Sequence, residues 1–211
     1  MLGRPQLRVY GAEIPGSAGY RSLSGRRRLS DATAGNITLP VAGLLAGWID
    51  RSGPGAGYAD VFPAADAILA ALPDLTRGDS FDVIITSSVA FANTITAGTG
   101  ITLAGTTSVA ASSGRQYLIT LLSEPKRSRV MPGSTTNASP TLTNIATSEL
   151  ANIGVGMLVT GTNVPAATSV VGVNLATGTV TMSANATGTA DLTAFTFTPQ
   201  FEVRGMFVAG N

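Results

Sequence analysis

The chain has 211 residues, of which 44% are apolar and only 12% charged, with a net charge of +1; an ordinary soluble domain carries roughly 25% charged residues. That length allows one or two domains with a real core. The absence of cysteine excludes disulfides and thiolate metal sites, and the absence of histidine removes the commonest general base, metal ligand and partner of a nucleophilic serine. We therefore expect no enzyme, no cofactor and no metal site. Thr, Ser, Ala, Gly and Asn take the place of charge, a composition that suits strands joined by tight turns.

Residues 1–35 read as an extended, polar N-terminal arm. Arg4, Arg8, Arg21, Arg26, Arg27 and Arg28 face only Glu13 and Asp31 there, and glycines and prolines interrupt every periodicity. The apolar residues Tyr10, Ile14, Tyr20 and Leu23 are isolated. Such a segment cannot bury enough area to order itself alone, so it is expected to order on a partner. Met1–Tyr10 has no continuous apolar core, so no signal peptide is expected. The stretch Ile37–Ile49 is too short and too broken by Pro40, Gly43 and Gly47 to span a bilayer.

Residues 36–130, together with 199–211, read as a β core domain, an antiparallel sandwich or barrel-like fold with one short helix. Ile37–Leu39 and Leu44–Ile49 are candidate strands. Pro63–Leu72 has an early proline, an alanine-rich body and an apolar face of Ile68, Leu69 and Leu72, which predicts the helix. Phe81–Thr86 is almost continuously apolar and predicts a central strand, with Phe81, Val83 and Ile85 facing Tyr117, Ile119 and Leu121 of a neighbour. Ala92–Thr96, Ile101–Leu103 and Gln116–Leu122 complete the set.

Residues 131–198 change character. From Gly133 to Thr198 there is no lysine or arginine, and the only acids are Glu149 and Asp191. Strands are expected at Met157–Thr160, Ser169–Asn174, Thr179–Ser183 and Ala194–Thr198, forming a second small β domain entered at Pro132 and left at Pro199. Residues 200–208 return to alternating apolar and charged residues. The Thr/Gly-rich module therefore reads as an insertion, with the last strand pairing back near Gln116–Val130.

Motif-like strings carry little chemistry. Arg77-Gly78-Asp79 lies between a helix and a strand and reads as chance. Ser123-Glu124-Pro125-Lys126 matches Ser-x-x-Lys, but its companion strings are absent. Asp79 and Asp82 are too few for a Ca²⁺ site and read as turn capping. Asn36, Asn137 and Asn185 begin Asn-x-Ser/Thr triplets by coincidence, and Gly98-Thr99-Gly100 lacks the residues of a phosphate cradle.

Two stretches resemble a known family. Trp48-Ile49-Asp50-Arg51-Ser52-Gly53, then Pro63–Pro73, Gly78-Asp79-Ser80-Phe81 and Ala97–Leu103, resemble small head-decoration (cement) proteins of tailed bacteriophages. Ile153–Ala190 is similar to a Thr/Gly-rich β module of phage capsid and tail proteins. The resemblance implies a non-catalytic virion protein, made in the host cytoplasm, on the outer capsid surface. Its expected partner is the major capsid protein, whose neighbouring subunits it would bridge to stabilise the head. A homo-oligomer is expected, a trimer being favoured, with neither nucleic acid nor membrane as primary partner. The arm supplies the candidate capsid-binding residues Arg4, Arg8, Tyr10, Ile14, Tyr20, Arg21, Leu23, Arg26, Arg27 and Arg28. The alternative is a tail or head-fibre adhesin that binds host carbohydrate through the Thr-rich module.

Overall fold

Residues 80–87 form β5 (Ser80–Ser87), which lies inside a seven-stranded sheet of the computed structural model. The structure describes residues 20–21 and 26–206. Beside β5 lie β3 (Gly47–Arg51) and β9 (Ser113–Leu121). Beyond β3 comes β2 (Arg27–Asp31), and beyond β9 come β16 (Phe201–Gly205) and β7 (Ile101–Gly105). The short β1 (Tyr20–Arg21) pairs with the start of β5. Phe81, Val83 and Ile85 point to one face with Tyr117, Ile119 and Leu121, as the alternation predicts; Phe81 lies opposite Ile119 and Val83 opposite Tyr117.

The chain divides into two compact units, Met1–Leu121 with Phe201–Asn211 and Leu122–Gln200. Both are mainly β. In the first, the apolar face of the large sheet is covered by α1 (Val41–Ala46), α2 (Ala65–Ala71) and a small sheet of β4 (Tyr58–Val61), β6 (Asn93–Thr96) and β8 (Ser108–Val109). Phe62 meets the Tyr117 ring edge-on, with centroids 6.2 Å apart. The second unit packs two three-stranded sheets. One joins β10 (Arg129–Thr135), β15 (Ala190–Thr198) and β12 (Leu158–Gly161). The other joins β11 (Thr141–Leu142), β14 (Thr179–Met182) and β13 (Val170–Asn174). Its core holds Met131, Met157, Val159, Val180, Phe195 and Phe197, and the single-turn α3 (Thr147–Leu150) adds Leu150.

Leu121 at the end of β9 and Phe201 at the start of β16 are register partners in an antiparallel ladder. Residues 122–200 thus stand where a hairpin loop would otherwise join two neighbouring strands. The last strand, expected to pair back near Gln116–Val130, pairs with Tyr117–Leu121.

Several features differ from the sequence reading. The large sheet is mixed, not mostly antiparallel: β1–β5, β2–β3, β3–β5 and β7–β16 are parallel, because helices and loops cross between them. The barrel alternative does not hold, since the sheet ends at β2 and β7 without closing. Leu44–Ile49 is not one strand. Val41–Ala46 is helical, ended by Gly47 in the left-handed conformation (φ 78°), and only then does β3 begin. Ile37–Leu39 contributes a single bridge, Thr38 with Val61. Among the described residues the first unit therefore has two helices, where the sequence suggests one.

The N-terminal segment also differs from a free arm over part of its length. Residues 27–31 form β2 in parallel register with β3, from Arg27 opposite Gly47 to Asp31 opposite Arg51. Pro132, read as an entry point, lies within β10, where an edge strand tolerates the missing N–H.

Candidate functional site

The polar face of the large sheet gathers Arg28, Asp50, Asp82 and Arg26. Because register partners share a face, Arg28 and Trp48, Ser30 and Asp50, and Asp50 and Thr86 stand side by side. Arg28 pairs with Asp50, and its guanidinium also lies 5.6 Å from the Trp48 ring centroid. Asp50 accepts further from Thr86 Oγ1 (2.7 Å) and from Ser88 Oγ, and the Trp48 indole N–H donates to Thr86 Oγ1 at 3.1 Å. Burial pushes the Asp50 carboxyl up, but hydrogen bonds from Ser88, Arg28 and Thr86, with the Arg28 charge, outweigh it and hold the group below its ordinary range. Asp50 is thus a fixed anion and not a proton carrier at neutral pH. An open cleft of about 440 Å³ runs over this cluster, lined also by Ser112, Ser113 and Gly114.

Further along β5, Asp82 is fully buried and pairs with Arg26, while Gln116 Nε2 donates to the same carboxylate oxygen at 2.6 Å. Its other oxygen has no partner among the described residues.

The third cluster is centred on Arg51, whose side chain is fully buried. Its Nε donates to Asp60 Oδ2 and one Nη to Asp31 Oδ1, each at 2.9 Å. The remaining donors reach the backbone carbonyls of Asp31, Thr33 and Gly35. The guanidinium lies 5.4 Å from the Tyr58 ring centroid. Asp60 in turn accepts from the Ile37 amide and from Asn93 Nδ2. Arg51 therefore staples the 31–35 loop to the sheet with a rigid planar fork, a task a lysine cannot perform. Gly53 serves the same closure: a Cβ there would stand 1.9 Å from the Ala32 carbonyl oxygen. The string Trp48–Gly53, read from sequence as a strand end, is thus a structural device. The sequence signal was a charged Asp-Arg doublet beside an apolar strand in a chain poor in charge.

The arm residues separate into groups. Arg26 and Arg28 are committed to Asp82 and Asp50, while Arg27 is exposed on β2. Tyr20 and Arg21 form β1. Arg4, Arg8, Tyr10, Ile14 and Leu23 lie outside the described residues. Asp79 caps a turn by accepting from the amide and hydroxyl of Thr76, in line with the capping reading, whereas Asp82 is an ion-pair partner and not a cap. Ser123 accepts from the Gln200 amide and donates to the Glu124 carbonyl, a structural role.

Among the described residues no group of three or more acidic side chains is placed to hold a metal ion, and no helix is long and apolar enough to cross a membrane. Comparison with family models, curated proteins and solved structures finds no match.

Proposed function

We propose that this chain is a non-catalytic structural protein of a phage virion, which binds the outer capsid surface, bridges neighbouring major capsid subunits and so stabilises the head. The observation that carries the reading is the use made of charge in the first unit. Asp31, Asp50, Asp60 and Asp82 meet Arg51, Arg28 and Arg26 in fixed pairs that hold loops and strands together. Such an arrangement supports a rigid scaffold, with binding left to its surface and its N-terminal arm.

The arm is rooted through β1 and β2 in the large sheet. Arg4, Arg8, Tyr10, Ile14, Tyr20, Arg21 and Leu23, with the exposed Arg27, are the residues assigned to the capsid; Arg26 and Arg28 pair with carboxylates of the sheet. Arginines can fork onto capsid carboxylates while the apolar side chains fill grooves between subunits. The adhesin alternative finds less support. The second unit has only Phe195 and Phe197 as aromatics, and both are fully buried, so it offers no aromatic platform for a sugar.

The test is to add the purified protein to heads that lack it and image them. Full-length protein is expected on the outer surface at regular positions, and removal of residues 1–19 is expected to abolish or strongly weaken attachment. Binding to tails, or to neither heads nor tails, overturns the reading.

A further inference from the structure

The chain has a single tryptophan, and it belongs to neither apolar core. Trp48 stands half-buried on the polar face of the large sheet, in the wall of the open cleft of about 440 Å³. That volume is in the range of small-molecule sites. A large aromatic ring placed there adds nothing to the core.

The groups around the ring are held in fixed positions. The indole N–H donates to Thr86 Oγ1 at 3.1 Å, which sets the direction of the ring. Both oxygens of the buried Asp50 are taken, one by Thr86 and Ser88 and the other by Arg28. Asp50 is therefore closed to a ligand. Its part in the cleft is to orient the Arg28 guanidinium and to cancel its charge. Arg28 spends one Nη on Asp50, and its other guanidinium N–H groups make no hydrogen bond to the described residues. Its side chain is 52% exposed, and the guanidinium carbon lies 5.6 Å from the Trp48 ring centroid. Ser88 and Ser112, both exposed, add hydroxyls to the wall. One ligand the size of a sugar ring can therefore touch the indole, the free donors and a hydroxyl together.

This set selects a chemical class. Asp50 offsets the Arg28 charge, so an anion gains little net attraction. A cation meets Arg28 and finds the carboxylate saturated. An apolar ligand would strip water from hydroxyls and a guanidinium without replacing its hydrogen bonds. A pyranose has an apolar C–H face and, at its edge, neighbouring hydroxyls that match a planar fork of donors.

We propose that the cleft binds a neutral saccharide, with the C–H face of a pyranose against Trp48 and adjacent hydroxyls on Arg28 and Ser112. The proposal stands apart from attachment to a capsid, and it places sugar binding on the first unit and not on the Thr-rich module. An open cleft that engages one ring binds weakly, with a Kd of about 1–10 mM.

Trp48 is the only source of an indole signal, so intrinsic fluorescence and the indole N–H resonance report on this cleft alone. The full chain is titrated with the methyl glycosides of glucose, galactose, mannose, N-acetylglucosamine and rhamnose, each to ~50 mM. At least one is expected to shift the indole signal saturably. Arg28→Lys keeps a cation opposite Asp50 but loses the fork, and should raise Kd about fivefold or more. Arg27→Lys, one residue away and on the other face of β2, should leave Kd unchanged. Ser112→Ala, outside the Asp50 network, should raise Kd about two- to threefold and carries the comparison should Arg28→Lys fail to fold. The proposal is overturned if no glycoside gives a saturable shift, if Arg28→Lys binds like Arg27→Lys, or if Ser112→Ala binds like wild type. A shift produced by inorganic sulfate and by none of the glycosides would make the cleft an anion site, and overturns it as well.

Discussion

The two units bury polar groups of opposite kinds. The first encloses the ionised Asp50, Arg51, Asp60 and Asp82, with Ser87 and Asn93, along with its apolar core; the second encloses only hydroxyls, those of Ser123, Ser134, Thr135, Thr168 and Thr198. An ion pair in a low-dielectric interior is costly to break once made, because the survivor is left charged and unsolvated. A buried hydroxyl needs one good partner and is inexpensive to replace. The first unit is therefore locked by a few irreplaceable contacts, and the second by distributed packing around Phe195 and Phe197.

The sharpest way to break this contrast is Asp60→Ala. It leaves the Arg51 guanidinium buried with a lost partner and is expected to cost about 3–5 kcal/mol, read from denaturant unfolding. Hydrogen exchange should show the loss in peptides of 26–121 and not in those of 122–200. Equal deprotection of both units would show that they unfold as one.

Ser134→Ala probes the second unit in the same way. Ser134 Oγ donates to Asp191 Oδ1 at 2.5 Å and accepts from Asn144 Nδ2 and the Leu192 amide. Its removal should cost about 1–3 kcal/mol. A loss as large as that of Asp60→Ala would erase the distinction between the units.

Acid should act on the first unit. Burial raises the Asp31 carboxyl, but hydrogen bonds from Thr33 and the charge of Arg51 outweigh it, so Asp31, like Asp50, lies below the ordinary value of 3.8. Groups lowered on folding stabilise the native state above their unfolded value, and that contribution is lost as pH falls through the folded one. Stability of the first unit should hold down to the ordinary carboxylate range and then decline. Exchange protection followed from neutral pH to acid, corrected for intrinsic rates, checks this; a decline that starts near pH 6 would contradict it.

The smallest effect expected is a gain. Thr135 Oγ1 is buried without a partner among the described residues, so Thr135→Val removes an unsatisfied hydroxyl at nearly constant shape and should stabilise by about 1 kcal/mol. A loss in thermal unfolding instead would mean that the hydroxyl is satisfied in solution.

Much of this molecule was legible from local pattern. The helix expected over Pro63–Leu72 is there as Ala65–Ala71, with Pro63 just ahead of its N-cap; β5 announced itself by an apolar run broken only at Asp82, and the change of composition after residue 130 marked a second β module. The alternation of residues 200–208 even pointed back to a strand with which Phe201–Gly205 pairs. What the sequence could not decide was how strands meet. Parallel register between β2, β3 and β5 depends on which segments cross over the sheet, and period-2 alternation is the same for either direction. Val41–Ala46 reads equally well as strand or helix, since a short apolar run carries no distinguishing period; Pro40 and the left-handed Gly47 settle it only in context. The same holds for charge. Arg26 and Arg28 looked like free cations of an arm, because the carboxylates that claim them lie 56 and 22 residues further on. Sequence fixes which groups must find partners, but only the close approach of distant segments decides which partner each one finds.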